Sequence, residues 1–256
     1  MATFLHMRAV KVILGLQSVI AILFAMAIAL SCATNENIIP NPDYQYFPLQ
    51  GGKFWIYDVE ETSITQTTCG DAGQTISKYE MRLSVVDSVL NSDNGYTYTI
   101  QRAKRTNNTQ PWSSLVTMTS QISGSRAINN EGNINFVKLL FPISVGLSWD
   151  GNLFNKEQEL NGQIADLYKI TSADKPYTNS SEQSFERAVI VTQNDEQTNI
   201  LYRDTRTEVY AFKVGLVYKE SFLLKYFSNS QLPCYGQNKI QQGYILKQSL
   251  KEYGKN

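Results

Sequence analysis

The chain has 256 residues, with 23 Lys and Arg against 23 Asp and Glu, and a single histidine, His6. Balanced charge leaves no electrostatic footprint for nucleic acid and no polybasic cluster for an anionic lipid surface. One histidine, placed near the N-terminus, leaves the rest of the chain without the base that Ser-His-Asp and Cys-His catalysis need, and without the ligands of a His-Glu-x-x-His zinc site.

The N-terminus carries Arg8 and Lys11, then an apolar run from Val12 to Leu30, and closes on Ala29-Leu30-Ser31-Cys32. A basic segment, an apolar segment and small residues at a processing point make a secretory signal of residues 1–31. A cysteine directly after that point resembles the bacterial lipobox, whose thiol is lipidated and becomes the first mature residue. Ser31 is the small residue before it, and Leu30 sits one place closer to the cysteine than in the commonest form. The resemblance implies lipidation of Cys32 and a lipid-anchored outer-membrane protein facing the periplasm or the cell surface. The alternative is an uncleaved anchor, since the run approaches the ~20 residues a spanning helix needs. Met7 is a second plausible start. Without residues 1–31 the chain has no histidine, and 21 basic residues stand against 23 acidic ones.

Residues 32–45, the lipidated cysteine and the polar stretch ATNENIIPNPDYQ, read as an extended tether reaching at most about 40 Å at ~3.3 Å per residue. Residues 46–256 read as an all-β domain. Strands are expected over Lys53–Glu61, Tyr79–Val89, Tyr96–Lys104, Leu115–Ile122, Ser125–Asn129, Asn135–Phe141, Asp166–Thr171, Arg187–Gln193, Ile200–Phe212, Leu216–Phe227 and Gly243–Leu250. Each is rich in β-branched and aromatic residues and bounded by turn residues such as Asp93-Asn94-Gly95 and Asn130-Glu131-Gly132-Asn133. Ser249–Tyr253 is expected to form a last helical turn. Short strands at hairpin spacing predict an antiparallel meander forming a large curved sheet, a barrel-like domain or a sandwich.

Phe47-Pro48-Leu49-Gln50-Gly51-Gly52-Lys53-Phe54-Trp55 and Phe141-Pro142-Ile143-Ser144-Val145-Gly146-Leu147-Ser148-Trp149 share Phe-Pro-aliphatic, a glycine and a closing tryptophan, 94 residues apart. Proline starts a strand edge, glycine permits a tight turn, and tryptophan covers a core. Two similar halves, 46–139 and 140–256, are one reading of the repeat; coincidence is the other.

Tyr46-Phe47-Pro48-Leu49, with Gly52, Trp55 and Tyr57, is similar to the start of a group of uncharacterised Bacteroidota outer-membrane lipoproteins. Tyr210-Ala211 with Val214-Gly215-Leu216-Val217 resembles a strand near their end. The resemblance implies the address and the β fold, and no catalytic residue. Surface-displayed lipoproteins of such bacteria usually carry a denser acidic cluster after the lipidated cysteine than the single Glu36 seen here, which favours the inner leaflet of the outer membrane.

The chemistry expected of the body is sparse. Phosphate-binding glycine loops and a calcium-loop pattern are absent from the sequence. Ser172-Ala173-Asp174-Lys175 and Ser92-Asp93-Asn94 match two elements of penicillin-recognising enzymes, in reversed order and without the third. Asp58, Glu60 and Glu61, or Asp195 and Glu196, are the candidate carboxylate pairs for glycosidase chemistry, against a plain reading as charged strand ends. Asp87-Ser88-Val89 fits a short O-glycosylation pattern. No enzyme, no cofactor and no metal site is expected. Cys69 and Cys234 lie in turn-like settings of an exported chain and are expected to form a disulfide, the alternative being two separate buried thiols. The 15 Tyr, 11 Phe and 3 Trp are expected mostly in the core, with Trp112 the most exposed tryptophan. Two functions follow: a non-enzymatic structural or interaction component of the envelope, meeting a protein partner, or a carrier for a hydrophobic ligand in a barrel-like cavity.

Overall fold

The computed structural model describes residues 41–70, 73–91, 95–155, 162–163 and 165–256. The expected signal segment, Cys32 and the first part of the tether lie outside the described residues, as do the turn residues Asp93 and Asn94. Residues 41–256 form one unit. In chain order its strands are Lys53–Thr65 (β1), Gln74–Leu90 (β2), Tyr96–Arg105 (β3), Ser113–Ser123 (β4), Arg126–Glu131 (β5) and Ile134–Leu140 (β6). Ser148–Asp150 (β7), Leu167–Thr178 (β8), Ser184–Glu196 (β9), Tyr202–Ala211 (β10), Gly215–Tyr226 (β11) and Ile240–Lys255 (β12) follow. No helix among the described residues is long and apolar enough to cross a membrane.

All 12 strands join one antiparallel sheet in the order β6-β5-β4-β3-β2-β1-β12-β11-β10-β9-β8-β7. Strands consecutive in sequence are neighbours in the sheet, except β6 and β7, and β1 also pairs with β12, from Lys53↔Lys255 to Thr65↔Gln242. The meander thus rolls into a nearly closed barrel whose two edges, β6 and β7, are consecutive in the chain. Hydrogen bonds among the described residues that bridge that seam include Val137 N to Gly151 O (2.9 Å), Trp149 Nε1 to Val137 O (2.7 Å), and the Asn155 side chain with Asn135 N (3.3 Å) and Asn135 O (2.7 Å). Of the expected architectures the barrel-shaped sheet is the one formed.

Alternation sets the wall. On β1, Trp55, Tyr57 and Val59 point inward, while Asp58 and Glu60 point out. The outer wall over β12, β1 and β2 carries ion pairs of Lys78 with Glu60 and of Lys251 with Asp58 and Glu80. Such a surface is not the apolar band of a membrane-spanning barrel. One core cluster gathers Trp55, Tyr57, Met81, Ile100 and Met118; a second gathers Tyr46, Phe141, Trp149, Tyr168, Ile170 and Tyr210. Trp55 and Trp149 are each 7% exposed and Trp112 is more open, covered on one ring face by Arg105.

Two expectations are corrected. Ser249–Tyr253 is not a helical turn: it lies in β12, where pairing with Trp55–Asp58 overrides any local preference. The tether does not stay extended through Gln45. Pro42–Tyr46 is a 3-10 turn capped by Asn41 and docked on the barrel. Asp43 accepts from Ile143 N (2.8 Å), Tyr44 OH donates to Gly124 O (3.1 Å), and Lys213 N donates to Gln45 O (2.7 Å). Gly215, at φ +98°, lets the β10–β11 turn approach this segment; a Cβ there would stand 3.3 Å from Pro48 Cδ.

Candidate functional site

The barrel encloses a cavity of about 380 Å3. Its wall is divided. From β1 to β4 come Val59, Met81, Leu83, Ile100 and Met118, with Glu61, Arg102 and Lys104 among them; Leu246 on β12 continues the apolar part. Facing them, near the seam, stand Glu131 on β5, Lys138 on β6, Gln193 on β9, Arg206 and Glu208 on β10, and Lys219 on β11. Phe47, Pro48 and Leu49 of the docked segment line one end, beside Trp55.

The charged side is a connected network. Lys138 Nζ lies 3.0 Å from Glu208 Oε1 and 3.2 Å from Glu131 Oε1. Lys219 Nζ reaches the same Glu208 oxygen at 3.2 Å, and Tyr210 OH donates to the other at 2.6 Å. Glu208 is 1% exposed. Burial alone would raise its pKa; Lys138, Lys219 and the Tyr210 hydroxyl outweigh burial and hold it at about 2. Burial likewise works against the Lys138 charge, and Glu131 and Glu208 hold its pKa well above the usual lysine value. Next to this network, Arg206 forms two forked pairs. Its guanidinium meets Asp166 at 2.7 and 2.9 Å and Asp204 at 2.6 and 2.9 Å. Desolvation still leaves Asp166 above its ordinary pKa. The Gln193 side-chain nitrogen, on a residue 5% exposed, has no hydrogen-bond partner in the protein.

A smaller polar group sits at the far edge of the apolar side. Glu61 accepts from Tyr79 OH (2.6 Å) and Tyr244 OH (3.0 Å), and Lys104 Nζ stands 4.1 Å over the Tyr79 ring. Burial first, then Glu61, raises the pKa of both tyrosines.

Of the carboxylates singled out in the sequence, only Glu61 reaches the cavity. Asp58 and Glu60 are paired on the outer wall. Asp195 accepts from Gln197, and Glu196 from Thr198 and Asn199, as hairpin-closing residues. The Ser172–Lys175 segment is strand, with Asp174 paired to Arg187. Cys69 and Cys234 are joined, with Cα atoms 5.7 Å apart, linking the β1–β2 and β11–β12 connections. No group of three or more His, Cys, Asp or Glu that could hold a metal occurs among the described residues. Sequence reasoning missed the interior network, although β10 carried a signal: Asp204, Arg206 and Glu208 at period two place three charges on one face of a strand.

No family model matches the chain, and no curated protein matches it. Two solved structures are similar to it. One is a protein of Bacteroides fragilis regarded as exported, with a YmcC-like fold; it is 12% identical, over 81% of this chain and 98% of that one, at a TM-score of 0.44. The other, from Parabacteroides distasonis and regarded as a lipoprotein, is 11% identical over 80% and 98%, at a TM-score of 0.36.

Proposed function

We propose that the protein is a non-enzymatic lipoprotein of the outer membrane, anchored through Cys32, that binds a small amphipathic molecule inside its barrel. The divided cavity carries this reading. Its volume falls within the ~300–1,000 Å3 of ordinary ligand sites, where apolar walls and a few placed polar groups set orientation. A purely hydrophobic ligand fits less well, because one wall is charged and the Gln193 amide nitrogen is left without a protein acceptor. A ligand with an apolar body against Met81, Ile100 and Met118, and an acceptor oxygen toward Gln193, fits both walls. The carboxylates argue for binding rather than catalysis. Glu208 is held ionised by two lysines, whereas a general acid needs its pKa raised toward the working pH.

The test is native mass spectrometry of the lipidated protein extracted from its own envelope, beside Met118→Trp, which fills the cavity from its apolar side. An extra mass that leaves on denaturation and is absent from the variant supports the reading. A bare mass for the parent protein, with no displaceable lipid or metabolite, overturns it.

A further inference from the structure

The cations on the cavity wall are not all paired. Lys138 and Lys219 share Glu208, Lys138 also meets Glu131, and Arg206 is clamped by Asp166 and Asp204. Arg102 and Lys104, on the β3 part of the wall, have no carboxylate at ion-pair distance among the described residues. Arg102 Nε is buried and has no hydrogen-bond partner in the protein. Lys104 Nζ rests 4.1 Å from the centre of the Tyr79 ring, whose face offers no acceptor oxygen. A guanidinium nitrogen without an acceptor, beside a second unpaired cation, is a pattern that an anionic group completes.

Both cations lie at the end of the cavity remote from the docked segment. β1 runs from Trp55, beside that segment, to Glu61, a length of about 20 Å at ~3.3 Å per residue. At the Glu61 end Tyr79 and Tyr244 donate to the carboxylate and Lys104 covers the Tyr79 ring. Arg102 stands close enough to both hydroxyls for its charge to oppose the rise in their pKa values. Glu61 is the acid of this group, and its Oε1 already accepts from two hydroxyls. Two cations against one such carboxylate leave the group net positive. Between it and the docked segment the wall carries Val59, Met81, Ile100 and Met118.

We infer that the cavity takes a single-chain anionic amphiphile, its head between Arg102 and Lys104 and its chain against Val59, Met81, Ile100 and Met118. A carboxylate or a phosphate monoester supplies the several acceptor oxygens that a guanidinium and an ammonium together need. One chain rather than two suits a cavity of about 380 Å3, near the lower bound of the ~300–1,000 Å3 of ordinary ligand sites. Gln193, on the facing wall, meets a second oxygen of the ligand. This head site rests on the ligand-binding reading above, to which it adds the sign of the charge and the end of the barrel that holds it.

The test photolabels the full-length protein, held in nanodiscs of phosphatidylcholine, with dodecanoate carrying a terminal diazirine, and maps the labelled peptides. Label should fall on β1 to β4. Dodecanoate or dodecyl phosphate should displace it, and dodecyltrimethylammonium and dodecanol should not; the anion that displaces at the lower concentration names the head. Arg102→Gln with Lys104→Gln should lower labelling at least ~tenfold, the loss of a hydrogen bond to a charged group. Arg102→Lys, which keeps both charges, should retain most of it. Equal displacement by the cationic or neutral chain, or unchanged labelling in the glutamine pair, overturns the anionic head and leaves an amphipathic ligand standing. An equal loss in Arg102→Lys assigns the side chain to packing and also overturns it. Absence of label from these strands overturns it as well, and together with a bare native mass it overturns the ligand-binding reading too.

Discussion

Replacing Glu208 with glutamine removes one charge and keeps the shape. In the native protein that carboxylate holds Lys138 at 3.0 Å and Lys219 at 3.2 Å inside the barrel. The variant leaves Lys138 with Glu131 alone, and Lys219 without a carboxylate at that distance among the described residues. The pKa of Glu208 falls from 4.5 to about 2, a difference worth ~3 kcal/mol at ~1.4 kcal/mol per unit. Breaking a buried pair by removing one partner costs about 3–5 kcal/mol, which agrees. With a urea dependence of about 2 kcal/mol per molar, the unfolding midpoint at neutral pH should drop by ~1.5 M. The folded pKa lies below the unfolded one. The stabilisation is therefore complete above about pH 4.5 and lost as pH falls toward 2, and Glu208→Gln should lack that part of the acid loss. Glu60→Gln, in the exposed pair with Lys78, should leave the midpoint nearly unchanged. A midpoint for Glu208→Gln within ~0.3 M of the parent protein would refute the reasoning, because the network would then carry no net stability.

Trp149→Phe removes the indole donor to Val137 O at the seam and should cost ~1–3 kcal/mol; hydrogen exchange should speed up in β6 and stay unchanged in β1 and β12. Gly151→Ala sets a Cβ 2.3 Å from the Tyr168 ring, beside the carbonyl that accepts from Val137. Thermal unfolding should report a loss of about 1–3 kcal/mol, and full stability would show that the ring has room to move. Cys69→Ser with Cys234→Ser opens a link between residues 165 apart, for which chain entropy predicts ~5 kcal/mol of destabilisation; peptide mapping without reductant should recover the linked pair from the parent protein.

The strand ladder was legible because each strand records its own alternation. In β1, Trp55, Tyr57 and Val59 face in and Asp58 and Glu60 face out, whatever lies next to them in space. Places where a distant partner decides were not legible. Ser249–Tyr253 reads locally as a weak helical turn and becomes strand because β1, some 200 residues earlier, offers a free edge. Asn41–Gln45 reads as tether, and packs because Asp43 meets Ile143 and Tyr44 meets Gly124. The cavity depends wholly on such closure. Lys138, Glu208 and Glu131 come from three strands, and no local pattern brings them together.

The division of the cavity wall follows from where the barrel is incomplete. Opposite the seam, β1 pairs with both β2 and β12 over nearly its whole length, so the sheet is held by its own ladder and can line the interior with Val59, Met81 and Ile100. At the seam, β7 is three residues long, and the backbone hydrogen bond from Val137 on β6 goes to Gly151, the residue just after it. There the interior side chains supply cross-links instead: Lys138 on β6 binds Glu208 on β10, reaching past β7, β8 and β9. A well-packed apolar set would give similar or greater stability at such a site, so stability alone does not account for charges there. What charges add is a tie that holds without filling the space, because an ion pair needs contact only at its tips. The same geometry that closes the seam thus keeps the cavity open, and it puts hydrogen-bonding groups on the wall where the sheet parts most easily.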